Sequence, residues 1–281
     1  MKLQQKVILI TGASSGIGYD AARMLLHEGH RVYGAARRVD LMEPLRSLGI
    51  EPLKMDVTDD QSMREGVEQV LQKEGRIDVL VNNAGYGYFG AVESVDMTEA
   101  RRQVEVNLFG LARLCQLVIP TMRKQGSGRI VNISSVAGRM AVGFGGWYNV
   151  TKYSVEALSD AMRMELKPFG IEVVLIEPGP IKTDWGLIAA DHLRESTQGT
   201  AYETEASGLA DFMQWGYTSN YLSKPEVVAQ AIKRASLSRC PRVRYVVGFG
   251  ARSMVFFHAL LPARCWDWMM RKSGGMRRKK R

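Results

Sequence analysis

The chain has 281 residues, 46% of them hydrophobic, enough to bury one large α/β core or two small ones. Its formal charge of +9 suggests a nucleic-acid partner until it is located: seven of those charges lie in the last eleven residues, RKSGGMRRKKR, leaving the rest at +2. That distribution argues against nucleic acid. The three cysteines, Cys115, Cys240 and Cys265, lack metal-site spacing, so free thiols in a reducing, cytoplasmic setting and no metal site are expected.

A buried strand pattern begins by Val7, where a signal peptide would need its charged and apolar regions, so none is expected. No uninterrupted apolar run is long enough for a bilayer span. The first strand, Lys6 to Ile10, is apolar throughout, as a parallel strand covered on both faces should be. It runs into Thr11-Gly12-Ala13-Ser14-Ser15-Gly16-Ile17-Gly18 and an amphipathic helix to about Glu28. Strand, glycine-rich turn and helix in that order make an anion site, because glycine lets backbone approach a pyrophosphate and the helix N-terminus offers free N–H groups.

The second strand, Arg31 to Ala36, ends in Arg37-Arg38. In dinucleotide folds an acid here binds a free ribose 2′-hydroxyl and an arginine binds a 2′-phosphate. The acid is absent and two guanidinium forks are present, which selects a phosphorylated cofactor, NADP(H) over NAD(H).

A third strand at Glu51 to Met55 leads to Asp56-Val57, and a helix from about Asp59 to Lys73 precedes a fourth strand, Asp78 to Val81. That strand ends in Asn82-Asn83-Ala84-Gly85, which either bounds an adenine pocket or stabilises a turn. One long helix is expected around Ala100 to Arg123, with Asn107 in its middle, where an isolated asparagine usually faces solvent. Strand five is Gly128 to Ile133, a helix carries Tyr148 and extends to about Phe169, and strand six is Ile171 to Ile176, followed by Glu177-Pro178-Gly179. Strand and helix alternate without a break in composition. The expected fold is therefore α/β, a single Rossmann-type, doubly wound parallel sheet with helices on both faces.

Tyr148 and Lys152 stand four residues apart, on one face of a helix. A cation beside a phenol favours the phenolate and moves its pKa from roughly 10 towards neutrality, making the tyrosine an acid/base.

At this point the chain resembles the short-chain dehydrogenase/reductase family, in its single-domain branch of ordinary length. The match rests on TGASSGIG at Thr11 to Gly18, NNAG at Asn82 to Gly85, Asn107 in VNLFG, and Ser135 thirteen residues before Tyr148. YNVTK at Tyr148 to Lys152 and PGPIKT at Pro178 to Thr183 complete it, in the family's order over the first two-thirds of the chain. The spacing TGxxxGxG argues against the longer epimerase branch, which opens with TGxxGxxG.

The resemblance implies that Ser135 binds the substrate carbonyl oxygen, that Tyr148 carries the proton, and that Lys152 holds the nicotinamide ribose and depresses the Tyr148 pKa. Asn107 would hold a relay water. Gly12, Ser14, Ser15, Gly16, Ile17 and Gly18 would cradle the pyrophosphate; Asp56 and Val57 would border the adenine. Asn83, Ala84, Gly85, Pro178, Gly179, Ile181 and Thr183 would add cofactor contacts. It also implies a small-molecule alcohol or carbonyl substrate and a homodimer or homotetramer.

Substrate specificity should reside in a lid at about 184–222, with Trp185, Leu187, Phe212, Met213, Trp215 and Tyr217 joining Met140, Val142, Phe144 and Trp147 around an apolar pocket. The stretch KPEVVAQAIKRA, then PRVRYVVG and LLPARCWDWMM, resembles hydroxysteroid and retinol dehydrogenases, pointing to a lipophilic substrate. One domain is expected over 1–270, with 271–281 a disordered basic tail. Two alternatives stay open: a catalytically silent NADP-binding sensor or scaffold, and a membrane-surface protein contacting lipid through the C-terminal segment.

Overall fold

The computed structural model describes residues 5–273. Its frame is a seven-stranded, all-parallel sheet ordered β3-β2-β1-β4-β5-β6-β7. The first half runs β1 (Val7–Thr11), α1 (Gly16–His27), β2 (Arg31–Ala36), α2 (Glu43–Leu48), β3 (Glu51–Lys54) and α3 (Asp60–Glu74). The chain then crosses to the other side of β1 with β4 (Val79–Asn82), α4 (Met97–Val104), α5 (Gly110–Gln125), β5 (Gly128–Ile133), α6 (Gly146–Leu166) and β6 (Ile171–Pro178). This reversal of direction opens a crevice at the carboxyl ends of β1 and β4, the usual ligand position in such sheets.

Both faces of the sheet are covered, which is why its strands read as apolar runs. Leu9 and Leu80 pack with Val67 of α3, Leu114 of α5 and Val155 of α6. Ile8, Ile10 and Val81 pack with Leu25 of α1 and, on α9 (Pro225–Leu237), Val228 and Ile232. Asp59 caps α3 by accepting from the amides of Gln61 and Ser62.

Four expectations change. The single helix about Asn107 is interrupted by a π-turn at Glu105–Phe109, which turns Asn107 inward to 1% exposure rather than towards solvent. The weakly periodic 184–222 stretch forms two helices, α7 (Asp184–Thr197) and α8 (Glu203–Thr218). A seventh strand, β7 (Arg244–Val247), closes the sheet where no strand was expected. The continuous helical run Met97–Gln125 is long and apolar enough for a membrane span by length and composition; its apolar side faces the sheet through Leu111, Leu114 and Val118.

Pro262 divides the C-terminal segment into α10 (Ala251–Leu260) and α11 (Ala263–Ser273). Arg271, expected to begin the tail, lies in α11 and pairs with Glu205 at 2.8 Å. The basic tail beyond Ser273 lies outside the described residues.

Two glycines give a test of this packing. A Cβ at Gly110 would stand 2.3 Å from the backbone oxygen of Val57, whereas one at Gly216 in α8 meets nothing. Gly110→Ala should cost roughly 1–3 kcal/mol and lower the unfolding midpoint by several degrees. Gly216→Ala should be neutral or stabilise by about 0.5–1 kcal/mol. Thermal denaturation of the two variants checks both signs.

Candidate active site

The crevice is a cleft of about 1080 Å³, at the large end of the roughly 300–1,000 Å³ usual for ligand sites. Thr11 fixes its apex. The Thr11 hydroxyl accepts the amides of Asn83 and Ala84, each at 3.0 Å, while Asn83 Nδ2 donates to the carbonyls of Thr11 and Gly12. The side-chain amide of Asn83 thus joins the ends of β1 and β4, although the residue, with Ala84 and Gly85, still lines the cleft.

Gly12, Ser14, Ser15, Gly16 and Ile17 line one side of the cleft. A Cβ at Gly12 would come within 2.9 Å of Asn83 Nδ2 and 3.0 Å of Ala84 Cα, and its φ of +68° also favours glycine. Gly18 does not line the cleft: a Cβ there would lie 2.4 Å from the carbonyl oxygen of Gly12, so its role is to let α1 pack against the turn. Helix α1 has no acidic residue in its first turn and no side-chain N-cap bond. Its free amides therefore suit a pyrophosphate, and the glycine cradle fits a dinucleotide.

Arg37 and Arg38 are exposed and line the cleft beyond Ala36. Asp56 and Val57 line it too, with the Asp56 carboxylate accepting from the amide and hydroxyl of Thr58. Pro178, Gly179, Ile181 and Thr183 border the opposite end.

Ser135, Tyr148 and Lys152 meet at the floor. The Ser135 hydroxyl donates to the Pro178 carbonyl at 3.3 Å and accepts the Ala137 amide at 3.1 Å. Tyr148 is 8% exposed and packs against Trp185 and Phe89, with ring centroids 5.1 and 5.8 Å away. Lys152 is 7% exposed and donates to the Ile133 carbonyl at 2.9 Å, its nitrogen 5.7 Å from the Tyr148 ring centroid.

The electrostatics correct one expectation. Burial pushes the Tyr148 phenol up to about 12, with the neighbouring Ser135 hydroxyl pulling it down. Burial pulls Lys152 down to about 8, with Glu156 acting upwards. In this geometry removal from water dominates the phenol, and the downward pull comes from Ser135 rather than from Lys152.

Asn107 does not line the cleft. Its Oδ1 accepts the Tyr86 amide at 3.0 Å, and its Nδ2 donates to the Tyr86 carbonyl and to Thr151 Oγ1. It therefore clamps the irregular segment following β4 to α6 from behind the wall.

Of the expected apolar wall, Trp185, Tyr217, Met140 and Val142 line the cleft. Leu187, Met213, Phe144 and Trp147 do not, and Phe212 and Trp215 are largely exposed. Phe89, Ile188, His192 and Met254 also line the cleft and carried no periodic signal in the sequence.

Behind α6 lies a charged cluster. The Arg244 Nε is 3.0 Å from both Glu156 Oε2 and Glu177 Oε1, its other nitrogen reaches Asp160, and Arg139 approaches Glu177 at 3.4 Å. Glu156 Oε1 and Glu177 Oε2 are buried without partners. Burial, reinforced by Glu156, pushes Glu177 up to about 7 against Arg139 and Arg244.

Comparison with known proteins agrees with this geometry. Residues 6–190 match the sequence pattern of the family described as short chain dehydrogenase. A 3-ketodihydrosphingosine reductase from Bacteroides thetaiotaomicron is 43% identical over 182 residues, 64% of this chain and 66% of its own. The crystal structure of a short-chain dehydrogenase from Streptomyces avermitilis superposes with a TM-score of 0.80 at 33% identity, covering 96% of this chain and 99% of that one. A metagenomic short-chain oxidoreductase solved in complex with NADP has a TM-score of 0.69 at 26% identity, with 88% and 98% coverage.

The raised Glu177 has a pH signature. Between about 4.5 and about 7 the folded state binds more protons at this carboxyl than the unfolded chain does. Its stabilisation is therefore present in acid and lost as pH rises through about 7. Glu177→Gln should remove roughly 1–3 kcal/mol of that decline, read from unfolding midpoints of both proteins between pH 5 and 8.

Proposed function

The chain belongs to the short chain dehydrogenase family and is an oxidoreductase acting on alcohols and carbonyls, and on that premise we propose an NADP(H)-dependent enzyme for a lipophilic ketone, aldehyde or alcohol. The observation that carries this reading is the meeting of Ser135, Tyr148 and Lys152 at the floor of one cleft whose far side is a glycine cradle. The cofactor, when bound, supplies or accepts the hydride.

The chain's own groups manage the oxygen. Ser135 orients the substrate carbonyl by donating its hydroxyl proton, exchanging the Pro178 carbonyl for the substrate. Tyr148 transfers its phenolic proton to the oxygen as negative charge develops there, or receives it in the reverse direction. A phenol held near 12 stays protonated at neutral pH, which suits carbonyl reduction. Lys152 places positive charge beside the reacting oxygen and can hold the nicotinamide ribose. Asn107 acts as a positioning residue through its bonds to Tyr86 and Thr151.

Arg37 and Arg38, with Ala36 in place of an acid, support preference for the 2′-phosphate. Trp185, Phe89, Met140, Val142, Ile188 and Met254 support an apolar substrate. The NADP-bound neighbour and the lipid-named relative support the same choices.

A further observation favours peripheral contact with an anionic lipid surface. Phe256, Phe257, Leu260 and Trp268 on α10 and α11 are each at least 48% exposed, and Arg252, Arg264 and Lys272 stand exposed beside them. Aromatic and aliphatic groups flanked by cations suit the boundary between headgroups and acyl chains. Helix α10 also sends Met254 into the cleft, linking that surface to the pocket.

Three measurements test these readings. Tyr148→Phe should lower turnover by roughly 10²–10⁴ while retaining cofactor binding; near-normal turnover would remove Tyr148 from the mechanism. Arg37→Ala should weaken NADPH by about ten- to a hundredfold and leave NADH little changed in a fluorescence titration. The full chain should sediment with phosphatidylglycerol vesicles at low salt, but not with phosphatidylcholine alone. Phe257→Asp combined with Leu260→Asp should abolish this; equal sedimentation by the double variant would reject the surface.

A further inference from the structure

Lys152 is a cation almost wholly removed from water, with one backbone carbonyl as its hydrogen-bond acceptor. Such a group tends to discharge unless an anion stays close. Glu156 lies one helical turn further along α6, on the same face, where side chains four residues apart are neighbours. It is itself only 6% exposed.

The surrounding packing keeps this pair dry. A Cβ at Gly138 would lie 2.8 Å from the Lys152 carbonyl oxygen and 3.0 Å from Glu156 Cγ, so the turn after β5 closes directly over the helix. Arg244 reaches in from β7 to hold Glu156 Oε2 at 3.0 Å, leaving Oε1 unpaired. The same guanidinium also serves Glu177 of β6 and Asp160 of α6. Arg139, from the turn after β5, takes part of the Glu177 charge.

We propose that Glu156 is a positioning residue acting through Lys152: its carboxylate, anchored by Arg244, keeps the lysine positively charged in the dry interior. The proposal rests on the placement of Lys152 in the active site. The groups that bear on the charge of Lys152 are Glu156, one turn further along α6, and the neutral ring of Tyr148 beneath its nitrogen. Those that bear on Glu156 are Asp160 on its own helix, Glu177 on β6 and Arg244 on β7, with Arg139 acting through Glu177. Glu156 pulls Lys152 upwards against burial, so its neutralisation must lower the lysine's affinity for its proton. At neutral pH the discharged lysine would then give Tyr148 no positive neighbour when an oxyanion forms.

The test reads the lysine itself rather than turnover. In protein carrying ¹³C at lysine Cε, the Lys152 resonance is assigned by its loss in Lys152→Arg, and its titration is followed by NMR. Glu156→Gln should move that titration about one to two pH units lower, as expected for a charge one turn away at an effective dielectric near 20. Glu156→Asp should retain most of the wild-type value.

Turnover should follow: Glu156→Gln should show reduced kcat at pH 7.5 that recovers towards pH 6, with KM little altered, and Glu156→Asp should restore it. A salt bridge serving only to join α6 to β7 would instead lower the unfolding midpoint of Glu156→Gln and leave the Lys152 titration within about 0.3 pH unit of wild type. That outcome overturns the proposal. If the glutamine variant does not fold, a Lys152 titration unchanged in Glu156→Ala or raised in Glu156→Asp overturns it equally. Loss of activity in Tyr148→Phe bears only on the proton carrier, so the two readings fail separately.

Discussion

Everything in the cleft depends on how β1 and β4 are held together at the point where the two halves of the sheet run apart. One hydroxyl does this: Thr11 accepts two consecutive amides from the strand end opposite, and Asn83 returns its own amide to the first strand. The bonds are partly buried, and a fully buried amide left unpaired costs about 1–3 kcal/mol. This closure brings Gly12 so near Ala84 that no side chain fits between, and it sets the glycine turn at the height where α1 begins. The cradle on one side and the Ser135, Tyr148 and Lys152 floor on the other are both referenced to that joint.

A second constraint is the low polarity of the floor. Tyr148 and Lys152 are neighbours along α6, yet burial acts on both in the direction that removes charge. The phenol keeps its proton and the ammonium loosens its own. A site of this kind holds its reactive groups in place at a cost in electrostatic energy, against which the buried Glu156 acts by favouring the charged form of Lys152. Rigidity and chemistry are coupled here through the same helix.

The sheet was legible because its central strands are buried on both faces: Val7 to Thr11 and Ile171 to Ile176 leave an apolar run with no other simple reading. The turn at Gly12 and the helical spacing of Tyr148 and Lys152 were equally local signals. Strand β7 left no comparable trace, since all four of its residues are only half-buried and two alternate as Arg244 and Tyr245. Helices α7 and α8 were hidden for a different reason. Their buried faces are built from Ala189, Ala190, Ala206 and Ala210, small residues that pack closely but give weak hydrophobic contrast. Asn107 misled because an ordinary α-helical register directs it outward, and only the π-turn rotates it inward. The acidity of Tyr148 depends on three-dimensional burial, which residue spacing does not encode.

The alanine faces of α7 and α8 pack with Tyr148, Phe89 and Ala137 as a cluster separate from the two cores of the sheet. Gly186 supplies the gap that lets the Tyr217 ring lie across α7, so the two helices pack as one unit. These helices also help shield the Tyr148 phenol from water. Trp185 of α7 lies with its ring centroid 5.1 Å from that of Tyr148, so part of the burial that pushes the phenol up to about 12 comes from these helices. The small side chains that let α7 and α8 settle so closely thus help set the acidity of the site as well as the shape of its wall.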